Sequence, residues 1–76
     1  MKTRWHKFQS YNKTTWPDVG KPVRCLNEFS EEYEFLLILL DDASWDCPEL
    51  KMGLPHYMVQ FWAEPTDKQM KRFSET

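Results

Sequence analysis

The residues of this chain that could do chemistry are few and scattered. His6, Cys25, Cys47 and His56 are of the types that ligate zinc. A structural zinc site is seeded by close pairs such as Cys-x-x-Cys or His-x-x-x-His, and no two of the four are so spaced. The same residues offer a thiol and an imidazole for nucleophilic catalysis, yet no glycine-rich loop or nucleophile elbow accompanies them. A chain of 76 residues also leaves little room for a cleft. Asp41 and Asp42 are adjacent, so on a strand they would face opposite sides, and they read as a solvated turn. No catalytic residue, metal or cofactor is expected, and the chain does not read as an enzyme.

Binding is the chemistry that remains. From Cys25 to Leu50 the sequence carries Glu28, Glu31, Glu32, Glu34, Asp41, Asp42, Asp46 and Glu49 without one Lys or Arg. Residues 1–24 hold Lys2, Arg4, Lys7, Lys13, Lys21 and Arg24 against Asp18 alone, although the whole chain is only −2. Such asymmetry bears on partners and docking rates rather than on fold. Four Trp, three Tyr and five Phe are more than so short a chain can hide. Aromatics left half-exposed mark binding faces. A partner-binding surface is therefore expected at Glu28, Glu31, Glu32, Glu34, Asp41, Asp42, Trp45 and Asp46. Spaced carboxylates on a small rigid face resemble phosphates, so one form of that binding is mimicry of nucleic acid. The blander reading is a solubilising face that keeps sheet edges apart. An alternative uses Arg4, Trp5, Lys7, Phe8, Tyr11 and Lys13 as a basic and aromatic strand for single-stranded nucleic acid. Against it stand a pI near 5.6 and the lack of a nucleic-acid-binding signature. A basic strand paired with the acidic half of the same domain is preferred.

The elements that must position these groups are short, and residues 1–76 form one domain. Trp16-Pro17-Asp18-Val19-Gly20-Lys21-Pro22 is a strong turn in which Gly20 can take a positive φ. Pro22 fits the first position of a strand, and Val23 to Leu26 continues it. Asn27 to Glu32 suits a hairpin loop. Tyr33 to Leu40 fits a buried strand, or a helix capped at Ser30; the strand is preferred because a hairpin with 23–26 buries both segments. Asp41 to Pro55 is loop-like, with Trp45 folding back as a lid. His56 to Trp62 alternates as a strand, with Tyr57, Val59 and Phe61 on one face. Thr66 and Gln69 form a capping box for a short helix over Asp67 to Phe73 that docks Met70 and Phe73. The expected fold is α+β or mainly β: a small antiparallel sheet with a long loop and a short C-terminal helix. Its core is led by Trp5, Trp16, Val23, Phe35, Leu37, Leu39, Val59, Phe61 and Trp62, with Cys25 and Cys47 as reduced, buried apolar residues.

The N-terminal MKTRWHKFQSYNK lacks the apolar core of a secretory signal. The longest apolar run, Phe35 to Leu40, is far short of the ~20 residues that span a bilayer. A cytoplasmic protein with no membrane partner is expected.

Four features together resemble a family of small phage and prophage proteins, domain of unknown function five-five-one. They are Trp5, then Pro17-Asp18-Val19-Gly20-Lys21-Pro22-Val23, then Trp45, and finally Val59-Gln60-Phe61-Trp62 followed by Pro65. The resemblance spans roughly residues 5–65. It implies a small β-rich fold and a phage or prophage accessory role in the cytoplasm of a bacterial host, and it carries no activity. On that basis an accessory protein is expected that binds and modulates a host protein, such as an enzyme acting on nucleic acid.

Overall fold

The computed structural model describes residues 3–74. Six short strands, β1 (His6–Lys7), β2 (Pro22–Leu26), β3 (Leu37–Leu39), β4 (Trp45–Cys47), β5 (Met52–Leu54) and β6 (Phe61–Ala63), are followed by one helix, α1 (Asp67–Ser74). All strand pairs are antiparallel, in the order β1-β6-β2-β3-β4-β5. The expected antiparallel sheet with a C-terminal helix is the fold of this chain.

β2 holds the sheet together. Pro22 and Val23 pair with β3, while Arg24, Cys25 and Leu26 pair with β6. Pro22 does begin the strand, where a missing N–H does least harm. Gly20 precedes it at φ 90° and donates its N–H to the Leu39 carbonyl at 3.1 Å. That conformation is cheap for glycine and costly for a side chain.

Register explains which residues are inside. Successive strand residues face opposite sides of the sheet. Val23, Cys25, Leu37, Leu39, Trp45 and Cys47 thus share one face and are buried there with Phe8 and Val59. Trp16, Tyr33, Phe35, Leu54 and Trp62 pack half-buried around them. Phe8 meets the Trp45 ring edge-on at a centroid distance of 5.0 Å. Leu36 and Ala63 are also buried. Thr66 caps α1 as its sequence implies: its Oγ1 accepts from the Gln69 N–H, and the Gln69 side-chain oxygen accepts from the Thr66 N–H. Within α1, Phe73 is half-buried and Met70 is exposed.

Several expectations are corrected. The 41–55 segment is not one loop but contains β4 and β5. Trp45 is no lid: it is fully buried in β4 at the centre of the core, so it offers nothing to a partner. His56–Met58 is a single 3-10 turn, and only Phe61–Ala63 is strand. The turn arises at Pro55, whose carbonyl accepts from Met58 N–H at 3.1 Å, and it leaves Tyr57 exposed. The strand expected over 33–40 is confined to Leu37–Leu39. Trp5 and Phe61 are half-buried outside the core cluster, and Phe8, Trp45 and Ala63 are buried instead. The basic, aromatic N-terminal strand is two residues long.

Candidate functional site

The β2–β3 connection, residues 27–36, is built by its own polar side chains. Asn27 Oδ1 accepts from the N–H of Phe29 at 2.8 Å and of Glu31 at 3.0 Å. Its backbone N–H donates to the Glu31 carbonyl at 2.8 Å. Ser30 takes a left-handed conformation at φ 62° to close the turn. Leu26 then bridges Glu32. Arg24 donates to both carboxylate oxygens of Glu32, Nε to Oε2 at 2.9 Å and Nη2 to Oε1 at 2.6 Å. This fork holds the Glu32 carboxyl below its ordinary range and raises the Arg24 guanidinium further. Arg24 also lies 4.9 Å from the Trp5 ring centroid, a cation–π contact.

Tyr33 anchors the return of the chain. Its N–H donates to the Cys25 carbonyl at 3.0 Å, and its hydroxyl donates to the Met58 carbonyl at 2.6 Å. Burial, with smaller contributions from Cys25 and Glu28, pushes its phenol up. Tyr33, Phe35 and Leu37 then line a cleft of about 180 Å³ with Cys47, Leu50, Met52 and Leu54. Its lining is carbon and sulfur except for the Tyr33 hydroxyl, which is engaged with Met58. Leu50 and Met52 are 52% and 47% exposed at its mouth. Phe35 is shared with an adjoining hollow lined by Glu34, Glu49 and Arg72, and Arg72 lies 5.9 Å from its ring centroid. The mouth of the apolar cleft therefore has Glu34 and Glu49 at one side.

The eight residues expected to form one surface are thus divided. Glu28, Glu31, Glu32 and Glu34 stand exposed on the β2–β3 connection, with Glu32 committed to Arg24. Asp41 and Asp42 stand exposed in the β3–β4 turn, where Asp42 Oδ1 accepts from the Ser44 N–H at 3.0 Å and its hydroxyl at 2.5 Å. Those bonds hold the Asp42 carboxyl low. The two groups lie at opposite ends of β2. Pro22 pairs with Ile38 and Leu26 bridges Glu32, and four strand steps are about 13 Å. Asp46 faces away from Trp45 on β4, and Trp45 is internal. What composition did not signal is the cleft, because Leu50, Met52 and Leu54 read as loop residues until β5 exists.

The basic N-terminal segment does not pair wholesale with the acidic half. Two ion pairs occur among the described residues, Lys21–Asp18 and Arg24–Glu32, so neither Lys7 nor Lys13 joins an acid. Lys13 sits over the Trp16 ring at 5.5 Å. Lys7, Gln9, Ser10, Tyr11, His56, Tyr57 and Gln60 line a shallow groove of about 330 Å³ floored by Phe8 and Val59. Tyr11 and Tyr57 are 83% and 60% exposed beside it, and no acid among the described residues lines it.

Cys25 and Cys47 are free and buried. Burial pushes the Cys25 thiol up, away from the thiolate that a nucleophile or metal ligand requires. Among the described residues no three His, Cys, Asp or Glu converge on a point where a metal ion could be held. No helix among them is long and apolar enough to cross a membrane. No family model, no curated protein and no solved structure matches the chain.

Proposed function

We propose that the chain is a phage- or prophage-type accessory protein that binds and modulates a host protein in the bacterial cytoplasm, without chemistry of its own. The observation that carries this reading is the apolar cleft between Phe35 and Leu54, with exposed Leu50 and Met52 at its mouth and Glu34 and Glu49 beside it. Apolar side chains placed together at an open mouth supply affinity, and a charged rim supplies association rate. Mimicry of nucleic acid by the acidic run has less support. It needs an unbroken row of free carboxylates, whereas Arg24 takes one and the sheet separates two others from the rest.

The test is affinity capture from bacterial lysate by the wild-type chain and by Leu50→Glu, which places a charge at an exposed position of the mouth. A discrete protein retained by the wild type and lost from the variant supports the reading. The same proteins retained by both would remove it.

One observation favours a second reading, a single-stranded nucleic-acid binder. Tyr11 and Tyr57 beside a groove with Lys7 combine ring faces with positive charge. A labelled oligothymidylate or oligouridylate should then bind at low salt, weaken steeply as salt rises, and lose affinity in Tyr11→Ala. Absence of binding at low salt sinks it.

A further inference from the structure

We infer that the partner is captured as an extended strand added to the free edge of β5, with one large apolar side chain in the cleft and a basic residue beside it, toward Glu34 and Glu49. The inference rests on the protein-binding reading above and specifies the form of the partner. β5 ends the sheet order: β4 pairs with one of its sides, and no strand among the described residues pairs with the other. Gly53, in the middle of β5, is exposed. An unpaired edge is a template for an incoming strand, and peptide recognition of this kind takes affinity from main-chain pairing and specificity from pockets for alternate side chains.

The cleft lies on the matching side of that edge. Trp45 pairs with Leu54 and Cys47 with Met52, so Cys47, Met52 and Leu54, which line the cleft, project from one face of the β4–β5 pair. A strand laid beside β5 at about 4.8 Å sends every second side chain to that same face. The cleft, at about 180 Å³, exceeds the ~150 Å³ cavity that accepts a benzene ring. It therefore takes one leucine- or phenylalanine-sized group. A residue two places away falls about 7 Å off, and on the side of Phe35 that place lies toward Glu34 and Glu49, with Arg72 against them. The excess of acid selects lysine or arginine at that place, and a probe with lysine at both ends meets it whichever way its strand runs.

The probe is a labelled peptide, acetyl-Lys-Val-Phe-Val-Lys-amide, titrated into the ¹⁵N-labelled full chain. Met52, Gly53 and Leu54 amides should shift, and Lys→Glu at both ends of the peptide should weaken binding by about tenfold or more, as loss of paired charges at a rim does. Methylating alternate backbone nitrogens of the probe, which removes main-chain donors while leaving the protein intact, should weaken it about tenfold again. Equal affinity for the methylated probe would overturn strand addition while leaving a side-chain-in-cleft contact. Shifts confined to Tyr11, Tyr57 and Lys7 would overturn it by assigning the other groove. Concentration-dependent dimerisation that Leu50→Glu abolishes would overturn it in favour of a second copy on the same edge. No binding of any probe, with a discrete protein still captured by the wild type and not by Leu50→Glu, would remove strand addition and keep the protein-binding reading.

Discussion

The two acidic connections of this chain carry carboxylates at the same density, four in residues 27–36 and two in residues 40–44, and have different surroundings. The β3–β4 turn carries Asp41 and Asp42 over a tight backbone, with the Leu40 N–H donating to the Ser44 carbonyl at 2.9 Å and Ala43 at φ 72°. It delivers Trp45 straight into the core beside Leu39. The β2–β3 connection carries Glu28, Glu31, Glu32 and Glu34, and it delivers Tyr33 and Phe35 to the wall of an open cleft. Charge alone does not tell the two apart. The aromatic residues that each connection delivers do: a fully buried indole in one case, half-buried rings at a mouth in the other. One end of β2 thereby closes over a buried indole, and the other opens on the cleft proposed above to take a partner.

The largest effect expected from this contrast is at Trp45. Truncating a buried Trp costs about 3–5 kcal/mol, a large part of what a domain this small has. Trp45→Ala should leave the chain unfolded or nearly so at 25 °C, read as loss of the cooperative transition in circular dichroism. A folded Trp45→Ala variant with an intact melting transition would mean that the indole is peripheral. Trp45 Nε1 has no hydrogen-bond partner among the described residues, whereas Trp16 donates to the Gln9 carbonyl at 3.0 Å and Trp62 to the Thr15 carbonyl at 2.7 Å. Trp45→Phe should therefore cost less than the truncation, because it removes a buried, unpaired donor along with part of the ring.

Gly20 belongs to the same end of the molecule, since it bonds to Leu39. An added Cβ would meet nothing within 4 Å, so the penalty at φ 90° is one of backbone conformation alone. Gly20→Val should lower stability by about 1–2 kcal/mol, measured as a shift of the urea midpoint. An unshifted midpoint would show that the turn relaxes freely.

At the contact end the expected costs are smaller. Tyr33→Phe leaves the Met58 carbonyl without its donor and should cost about 1 kcal/mol. The sign of the pH effect comes from the raised phenol. Its contribution is complete below the unfolded value, about 10, and is lost as pH rises through the higher folded value. Wild type and Tyr33→Phe should therefore converge in stability above about pH 10; a constant gap would mean that burial does not hold the phenol neutral in the folded chain.

How much of this was legible depended on whether each signal was local. Pro22 at the start of a strand, Gly20 at positive φ, and Thr66 with Gln69 at the head of α1 are decided within a few residues, and all three are present. Val23, Leu37, Leu39 and Val59 were legible as core because each fits the apolar pattern of its own segment. Trp45 was not. It sits among Asp42, Ser44, Asp46 and Pro48, and a three-residue alternation of buried, half-buried and buried is too short to outweigh that polar context. In His56 to Trp62 the alternation was long enough, but it was overridden by a 3-10 turn after Pro55. The cleft was beyond reach for a related reason: Tyr33 and Met52 become neighbours only through the pairings of β3 with β4 and β4 with β5.

The fork between Arg24 and Glu32 tests the contact end without touching the cleft. The carboxyl's depressed value means that its contribution is present above the unfolded carboxylate value, about 4.3, and is lost as pH falls through the lower folded value. Wild type should lose more of its melting temperature than Glu32→Gln on acidification below about pH 4. Parallel curves would mean that the pair adds nothing, as many exposed ion pairs do.

The smallest expected effect is the sharpest discriminator. Asp41→Lys with Asp42→Asn changes the charge of the β3–β4 turn by three positive units and keeps the Oδ1 acceptor that Ser44 uses. Glu34→Lys with Glu49→Lys makes a comparable change at the mouth of the cleft. Asp41 lies four residues along the chain from Leu37, about 13 Å if extended, beyond the ~8 Å screening length of physiological salt. Association of the lysine-flanked peptide, measured by stopped flow at that salt, should therefore change less than about twofold with the turn variant. The mouth variant should slow it several-fold and flatten its salt dependence, since rim charge acts mainly on encounter. Both variants should keep the wild-type circular dichroism spectrum, because all four residues are at least partly exposed. If the turn variant slows association as much as the mouth variant does, the acids act as one diffuse field and the distinction between the two connections fails.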